Sequence, residues 1–345
     1  MEKSLASSHL KASIILPGWN EKKNILNCIE SLKKQTYHDF NIYMILGGDD
    51  TVFIDMAYNS GWDRLIVLDQ VKPNKMKAYN TALEHPALGD ILIFSDIDCE
   101  FPENFIEQYI ESFKNLQKNI ITGKVHPFQR NNNFIERYQR NWGDKQTAKL
   151  PRIIKSIVGA NYAIRKDFFF SKLHQFDESV SIGVDHIIAK RLIKIGEPIY
   201  FNPHLIAYTD FFTSDLSKYI AQRARWVRIR VLKNRGFNQK VFRSSIYSIL
   251  FPWLMLILFP VGIFVSRILC AGFLVWLWYI PLFAWIAIWI ISWEKDFKIL
   301  RYKQDKNKGR VNIFQDIFGS FGLVTVHLLI RMLASLQLLF KKYRD

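Results

Sequence analysis

The sequence predicts an α/β domain built on a parallel sheet with helices on both faces, followed by a C-terminal helical module that crosses a membrane. Three observations carry this. Short apolar runs alternate with stretches of helical spacing between Ser13 and Asp98. Acidic residues fall directly after those runs, where ligands gather in such sheets. Uncharged stretches of spanning length occupy the last hundred residues, and all the excess positive charge lies around them.

Met1 to Ala12 is polar and lacks the apolar core of a signal peptide, so residues 1–243 are expected in the cytosol. Ser13-Ile-Ile-Leu16, ending at Pro17, reads as a buried strand, and 24–34 as a helix from the spacing of Ile25, Cys28, Ile29 and Leu32. Asn41 to Leu46 is the second strand, stopped by Gly47-Gly48-Asp49-Asp50. A helix through Ala57 leads to a third strand, Leu65–Leu68. A helix from Lys75 to Leu83 precedes the fourth, Asp90–Phe94, which ends in Ser95-Asp96-Ile97-Asp98. Asp49, Asp50, Asp96 and Asp98 all follow strands, so one crevice can gather them. Residues 126–156 are polar and aromatic and read as an irregular, substrate-facing insertion. Helical spacing resumes at 185–195 and through the basic stretch 217–235.

Of 345 residues, 49% are apolar, which excludes a disordered chain. The net charge of +16 first points to nucleic acid, but its distribution argues against that partner. Residues 1–216 hold 26 basic and 26 acidic groups, whereas 217–345 hold 21 and 5. The excess flanks two uncharged runs, 23 residues from Ser244 and 26 from Ile268, as on the cytosolic side of a membrane protein. Spans of about 246–266 and 268–293 are long enough for a hydrocarbon core of roughly 30 Å. The apolar stretch 317–340 contains His327 and Arg331; it either crosses as a third span or lies in the interface. Cys28, Cys99 and Cys270 are too far apart for a metal pattern or a disulfide framework, which favours a reducing compartment.

Three groupings bear chemistry. Asp96-x-Asp98 after an apolar strand can hold Mg²⁺ or Mn²⁺ through hard oxygen ligands, or it is an exposed acidic turn. In Gln222-Arg-Ala-Arg225-Trp226, Gln222 and Arg225 share a helical face. Arg225 offers a planar fork for phosphate and Trp226 a stacking surface. The bland alternative is a basic helix on anionic lipid, which accounts well for Arg228, Arg230, Lys233 and Arg235 and less well for Gln222. Asp185, at the start of a helix, is a cap or a reacting carboxylate. Lys75 and Lys77 form a solvated face or approach phosphates. No GxGxxG follows a strand, and GxxxxGK[ST], GxSxG and HExxH are absent.

Taken in order, these pieces resemble the family 2 glycosyltransferases, in the membrane-bound branch that includes cellulose, hyaluronan and ceramide-glucose synthases. Ser13 to Glu21 is similar to the family's opening strand and Asn-Glu turn, and Ser31-Leu-Lys-Lys-Gln35 to its SLxxQ. Lys75-Met-Lys-Ala78-Tyr-Asn80 is similar to its KxxAxN, Asp96-Ile-Asp98 to its DxD and Gly159 to Arg165 to its GxNxxxR. Phe176-Asp177-Glu178, Asp185 and Gln222–Trp226 are similar to its FDE, ED aspartate and QxxRW. The resemblance covers about 11–230. It implies a GT-A-like domain and an inverting transfer from a nucleotide-diphospho-sugar. Asp98 would hold the metal with Asp96 beside it, Asp185 would be the general base, and Asn161 and Trp226 would face the acceptor. Asp49, Asp50, Lys75, Gln222 and Arg225 would lie on the donor side. Two departures stand out: glycines at 47 and 48, where the family usually has acids that read the nucleotide base, and Val184 where a glutamate usually precedes the base.

The expected organisation is a cytosolic catalytic domain at 1–216, a basic interfacial segment at 217–243 and a membrane module at 244–345. Such a protein would be multi-pass in the cytoplasmic membrane. It would take a nucleotide-sugar donor and a lipid, lipid-linked or glycan acceptor, with no nucleic-acid partner. The altered Gly47-Gly48 segment favours the rival, a catalytically silent membrane scaffold of the same fold.

Overall fold

A computed structural model describes residues 9–21, 23–49, 51–128, 134–180, 183–209, 215–234, 257–265, 267–268, 272–301 and 313–340. The chain forms two units, Met1–Phe128 with Gln146–Phe212, and Gln129–Lys145 with Thr213–Asp345.

The first unit is built on one sheet. Its strands are β1 (Ala12–Trp19), β2 (Phe40–Gly47), β3 (Leu65–Asp69), β4 (Ile91–Phe94), β5 (Cys99–Glu100), β6 (Ile120–Pro127), β7 (Ile153–Ile154), β8 (Tyr162–Arg165) and β9 (Ile199–Thr209). They lie in the order β3-β2-β1-β4-β8-β6-β9-β5, with β7 paired to β9. The first four strands are parallel, as their alternation with helices predicts. β8 runs antiparallel to both β4 and β6, so the whole sheet is mixed rather than parallel. The chain leaves this unit after Phe128 and returns at Gln146. The helix between β6 and β8 thus belongs to the second unit, and β8 does not follow the strand–helix–strand rhythm of β1 to β4.

Side-chain alternation explains why both faces are covered. Ile14, Leu16, Ile42, Met44 and Leu46 point to one core, shared with α1 (Ile25–Lys33), α2 (Val52–Tyr58) and α4 (Phe105–Leu116). Ile15, Tyr43 and Ile45 point to the other, shared with α3 (Lys75–Leu83) and α7 (Val184–Lys194). Two helices lie between α4 and α7: α5 (Phe134–Thr147), and α6 (Lys166–Phe168), which continues as a π-helical turn over Phe169–Leu173. Strand β1 runs past Pro17 because its pairing with β4 ends at Ile15, leaving the proline where only β2 is beside it.

The ends of β1 and β2 are locked together. Asn20 takes a left-handed conformation, φ 57°, and its N–H donates to the Gly47 carbonyl at 3.1 Å. Its Oδ1 accepts from the Asp49 N–H at 3.0 Å. A Cβ on Gly48, where φ is +140°, would sit 1.9 Å from that same Oδ1, and one on Gly47 would meet the Gln70 carbonyl at 2.0 Å. The glycines at these positions are therefore required by close packing.

The second unit contains α5, α8 (Leu216–Asn234), α9 (Gly272–Leu300) and α10 (Ile313–Phe340). Residues 126–156 are thus not an irregular insertion. They hold the end of β6, a 14-residue helix and the short β7. The helix reads as polar because it buries Glu136, Gln139 and Asn141 alongside Tyr138. Its partners come from the C-terminal helices: Tyr138 Oη donates to Asp296 at 2.8 Å, Asn141 Nδ2 to the Leu300 carbonyl at 2.9 Å, and Arg137 pairs with the buried Asp316.

Among the described residues, one helical stretch, Asp316–Ala334, is long and apolar enough to cross a membrane. It runs unbroken through His327 and Arg331. Of the expected span 246–266, residues 246–256 and 266 lie outside the described residues, and 257–265 are helical. The expected span 268–293 corresponds to α9, which continues past Trp293 into the charged segment. Residues 235–243 of the basic segment also lie outside the description.

Gly48→Ala is expected to destabilise the protein by about 2 kcal/mol or more, from left-handed strain plus the collision with Asn20. Thermal unfolding in detergent checks this; an unchanged midpoint would show that the lock is not strained.

Candidate active site

In the order β2-β1-β4, neighbouring crossovers depart to opposite sides of β1, and a crevice opens at the carboxyl ends of β1 and β4. A cleft of about 250 Å³ lies there, lined by Pro17 to Trp19, Glu21, Gln70, Pro73, Lys75 and Asp96 to Asp98. Ser95 fixes the end of β4: its N–H donates to the Ile15 carbonyl at 3.2 Å and its Oγ to the Ala160 carbonyl at 2.6 Å. The two aspartates are thereby held on a short turn closed by the Cys99 N–H and the Asp96 carbonyl, 3.1 Å apart.

Charge is unevenly distributed over this cleft. Lys75, in the first turn of α3, forms an ion pair with Asp96 and approaches the Gly159 carbonyl at 3.4 Å. Burial alone would lower the Lys75 pKa, but the Asp96 carboxylate outweighs it and holds the ammonium above the usual lysine range. Asp98 lacks such compensation. Its Oδ2 accepts from Thr209 Oγ1 at 3.2 Å and its Oδ1 faces the Cys99 thiol at 3.6 Å. Burial, followed by the charges of Asp96 and Glu21, pushes its pKa up to about 7 despite Lys75 and Thr209. A carboxylate in that position is short of positive charge.

Asp185 reaches the same neighbourhood from the other side. It lies in the first turn of α7, behind Gly183 in a left-handed conformation. A Cβ on Gly159 would stand 3.3 Å from the Asp185 Cβ, so Asp185 lies against the residue whose carbonyl faces Lys75. Asp96, Lys75, Gly159 and Asp185 are consecutive neighbours in one unit.

The other expected residues among those described do not line this cleft. Asp49 lies two residues past β2, exposed, with its N–H on Asn20, and does not line the cleft. Asp50 lies outside the described residues. Asn161, expected to face an acceptor, is fully buried. Its Oδ1 accepts from Tyr109 Oη at 2.6 Å, and its Nδ2 donates to the Lys124 and Leu205 carbonyls at 2.8 and 3.1 Å. Every polar atom of its side chain is used inside the protein, so it ties β6, β8 and β9 together. Gln222, Arg225 and Trp226 lie on α8 in the second unit: Gln222 is half-buried, Arg225 exposed, and Trp226 carries the Arg223 guanidinium over its ring at 4.5 Å.

Several family-like motifs are staples. Gln35 donates to the Pro102 carbonyl at 2.7 Å and accepts from the Ile106 N–H at 3.0 Å. Asn80 exchanges hydrogen bonds with the backbone of Phe176 at 2.9 Å and donates to Glu178 at 3.0 Å, joining the KxxAxN and FDE segments. Arg165 donates to the Lys118 and Phe113 carbonyls. Residues not singled out from the sequence are Trp19, Glu21, Gln70 and Thr209. Trp19, Gln70 and Thr209 stand at or just past strand ends, a position that could have flagged them. Gln70 is buried, with Oε1 lacking a partner among the described residues and Nε2 donating to the Lys72 carbonyl at 2.9 Å.

The donor set fits a hard divalent cation that shares its ligands with a bound anion. Among the described residues no cluster of three or more His, Cys, Asp or Glu could enclose a metal alone. One or two carboxylates plus substrate phosphates is the usual arrangement for Mg²⁺.

Residues 13–170 match the model of glycosyl transferase family 2. The chain is 25% identical over 178 residues to an uncharacterised glycosyltransferase, YfnE, of Bacillus subtilis, covering 49% of this chain and 44% of that protein. It thus spans less than half the length of that relative. It is 23% identical over 278 residues to a dolichyl N-acetyl-alpha-D-glucosaminyl phosphate glucuronosyltransferase of Methanococcus voltae, covering 73% of this chain and 83% of that protein. Among solved structures it resembles the mannosyltransferase PcManGT of Pyrobaculum calidifontis, in complex with GDP-Man and Mn²⁺. The TM-score is 0.55 at 15% identity, over 97% of this chain and 88% of that one. The fold is the expected GT-A-like one.

Two outcomes test this geometry. Without metal, Asp98→Asn is expected to raise the unfolding midpoint. A carboxyl raised to about 7 in the folded state loses stability as pH rises from its unfolded value, so the gap over wild type should open between about pH 4 and 7 and stay constant above. A gap that shrinks over that range contradicts the repulsion. Asn161→Ala should cost about 3 kcal/mol or more, by orphaning two carbonyls and a phenol; a changed acceptor KM at unchanged stability would restore it to the acceptor side.

Proposed function

We propose that this chain, whose residues 13–170 match the model of glycosyl transferase family 2, transfers a sugar from a nucleotide-diphospho-sugar to an acceptor hydroxyl beside a membrane, with inversion. The observation that carries this reading is the convergence of Asp98, the Lys75–Asp96 pair and Asp185 at the carboxyl ends of β1 and β4. A carboxylate free to act as base, beside a cleft that offers a lysine and a pair of cation-ready aspartates, is what an attacking hydroxyl and a departing diphosphate require together.

In this reading the diphosphate lies in the cleft with Lys75 near its oxygens, and Trp19 and Gln70 border the nucleoside end. Asp98, with Asp96 beside it, would hold Mg²⁺ or Mn²⁺, whose chemistry is to neutralise the leaving diphosphate. Asp185 takes the proton from the acceptor hydroxyl as it attacks the anomeric carbon, and Lys75 holds Asp96 in place. The roles of Gln222 and Arg225 at the diphosphate and Trp226 at the acceptor remain part of the proposal, as does a contribution from Asp49 and Asp50.

Membrane association is supported by the second unit. Phe283, Ile291 and Phe318 are 65%, 64% and 73% exposed on its helices, and Asp316–Ala334 has spanning length. We place the protein as a multi-pass protein of the cytoplasmic membrane, with the first unit in the cytosol and a lipid or lipid-linked acceptor preferred over a growing glycan. The Methanococcus voltae relative is named for a dolichyl-linked phosphate, which supports that preference. The Gly47–Gly48 departure favours the silent scaffold, and the uncompensated charge on Asp98 speaks against it, because a scaffold has no reason to keep a costly carboxylate.

Membranes carrying the protein, given labelled nucleotide sugars with Mg²⁺ or Mn²⁺, are expected to transfer sugar to an extractable acceptor. Asp185→Asn should lower turnover by about 10² to 10⁴ while leaving nucleotide-diphosphate binding intact. No transfer from any donor, together with no nucleotide-diphosphate binding, leaves the scaffold. Full turnover in the Asn variant removes only the assigned base.

A further inference from the structure

The second unit holds a cavity of its own, about 260 Å³, among α5, α8, α9 and α10. Its polar wall is a closed network. Asp296 is buried; its Oδ1 accepts from Tyr138 Oη at 2.8 Å, and its Oδ2 is engaged by His327 Nδ1 at 3.1 Å. The other nitrogen of His327 meets Tyr219 Oη at 3.1 Å. With Nδ1–H donating to the carboxylate, Nε2 is the acceptor for Tyr219, so the chain of four groups satisfies itself.

Three cations line the same cavity, Arg223, Lys295 and Arg331, and Arg223 reaches the network at Tyr219. Asp296 is the sole carboxylate lining it and is already engaged. Arg223 lies over the rings of Trp142, Tyr219 and Trp226 at 5.2, 5.2 and 4.5 Å, and its buried Nε–H has no acceptor among the described residues. A guanidinium held by three aromatic faces is pre-oriented, with donors left for a planar or tetrahedral oxyanion. The ring faces it covers are occupied by a cation rather than offered to a sugar.

We propose that this cavity binds the phosphate headgroup of a lipid, with Arg223 as the principal donor and Lys295 and Arg331 at the mouth. The cavity lining carries three cations against one engaged carboxylate, and that excess of positive charge favours an anion. The lipid source follows from the location. His327 and Arg331 interrupt the one described stretch of spanning length, and ionisable groups at such positions face cavities and mark ligand sites. The exposed apolar side chains of α9 and α10 belong to the same unit. The inference deepens the proposed function by naming a lipid phosphate as the acceptor-side ligand, and it rests on that reading only for its catalytic meaning.

The full chain in neutral detergent is titrated calorimetrically with dodecyl phosphate, dodecanol and inorganic phosphate. Dodecyl phosphate should bind saturably, dodecanol not at all, and inorganic phosphate at least tenfold more weakly. Arg223→Gln should weaken dodecyl phosphate binding at least tenfold. Nucleotide-diphosphate binding with Mn²⁺, measured on the same samples, should persist and confirms folding. If Arg223→Gln fails to fold, Lys295→Gln, at an exposed position, replaces it with an expected loss of several-fold. Equal binding of dodecanol, inorganic phosphate matching dodecyl phosphate, or unaffected variants overturns the proposal. Loss of nucleotide-diphosphate binding in wild type instead strikes the catalytic reading, so the two failures are separable.

Discussion

The interaction on which the first unit turns is the ion pair between Lys75 and Asp96. Three carboxylates, Glu21, Asp96 and Asp98, are brought toward one crevice by the ends of β1 and β4. Among the described residues lining it, Lys75 is the one cation, and it is paired with Asp96. Everything else at the crevice follows from that shortage: Asp98 is held against its own charge, and Asp185 sits one glycine away from the lysine. Stability is surrendered locally, which is characteristic of sites organised around a partner that brings the missing positive charge.

Much of the first unit was legible because its signals are local. The apolar spacing of Ile25, Cys28, Ile29 and Leu32 found α1, and all four residues are buried. Of the strand-following aspartates expected in one crevice, Asp96 and Asp98 line the cleft and Asp49 does not, because only the first two follow a strand that borders it. The motif view was weaker at telling chemistry from carpentry. Asn161 belongs to a segment resembling an acceptor-side motif, yet its amide is consumed by Tyr109 and two carbonyls. Gln35 and Asn80 are similar cases, with partners as far as 71 and 98 residues away. Long-range hydrogen bonds of this kind leave no periodic trace.

Two expectations failed for related reasons. The parallel sheet was read from four strands separated by helices, and the antiparallel β8 arrives after an excursion that breaks that rhythm. The same excursion contains α5, whose buried face carries Glu136, Gln139 and Asn141. A helix that satisfies polar groups inside a bundle looks, by composition, like a solvated loop. Where the polar partners lie far along the chain, hydropathy points the wrong way.

The pairing of Arg137 with Asp316 spans 179 residues. At typical ribosomal rates of about 5–20 residues per second, α5 emerges roughly ten to forty seconds before the helix that supplies its counter-charge. During that interval Arg137 lacks its buried counter-charge, while the sheet on either side of it in sequence can already close. Biosynthesis of this molecule therefore includes a waiting period written into its connectivity, ended when the helix carrying Asp316 is made.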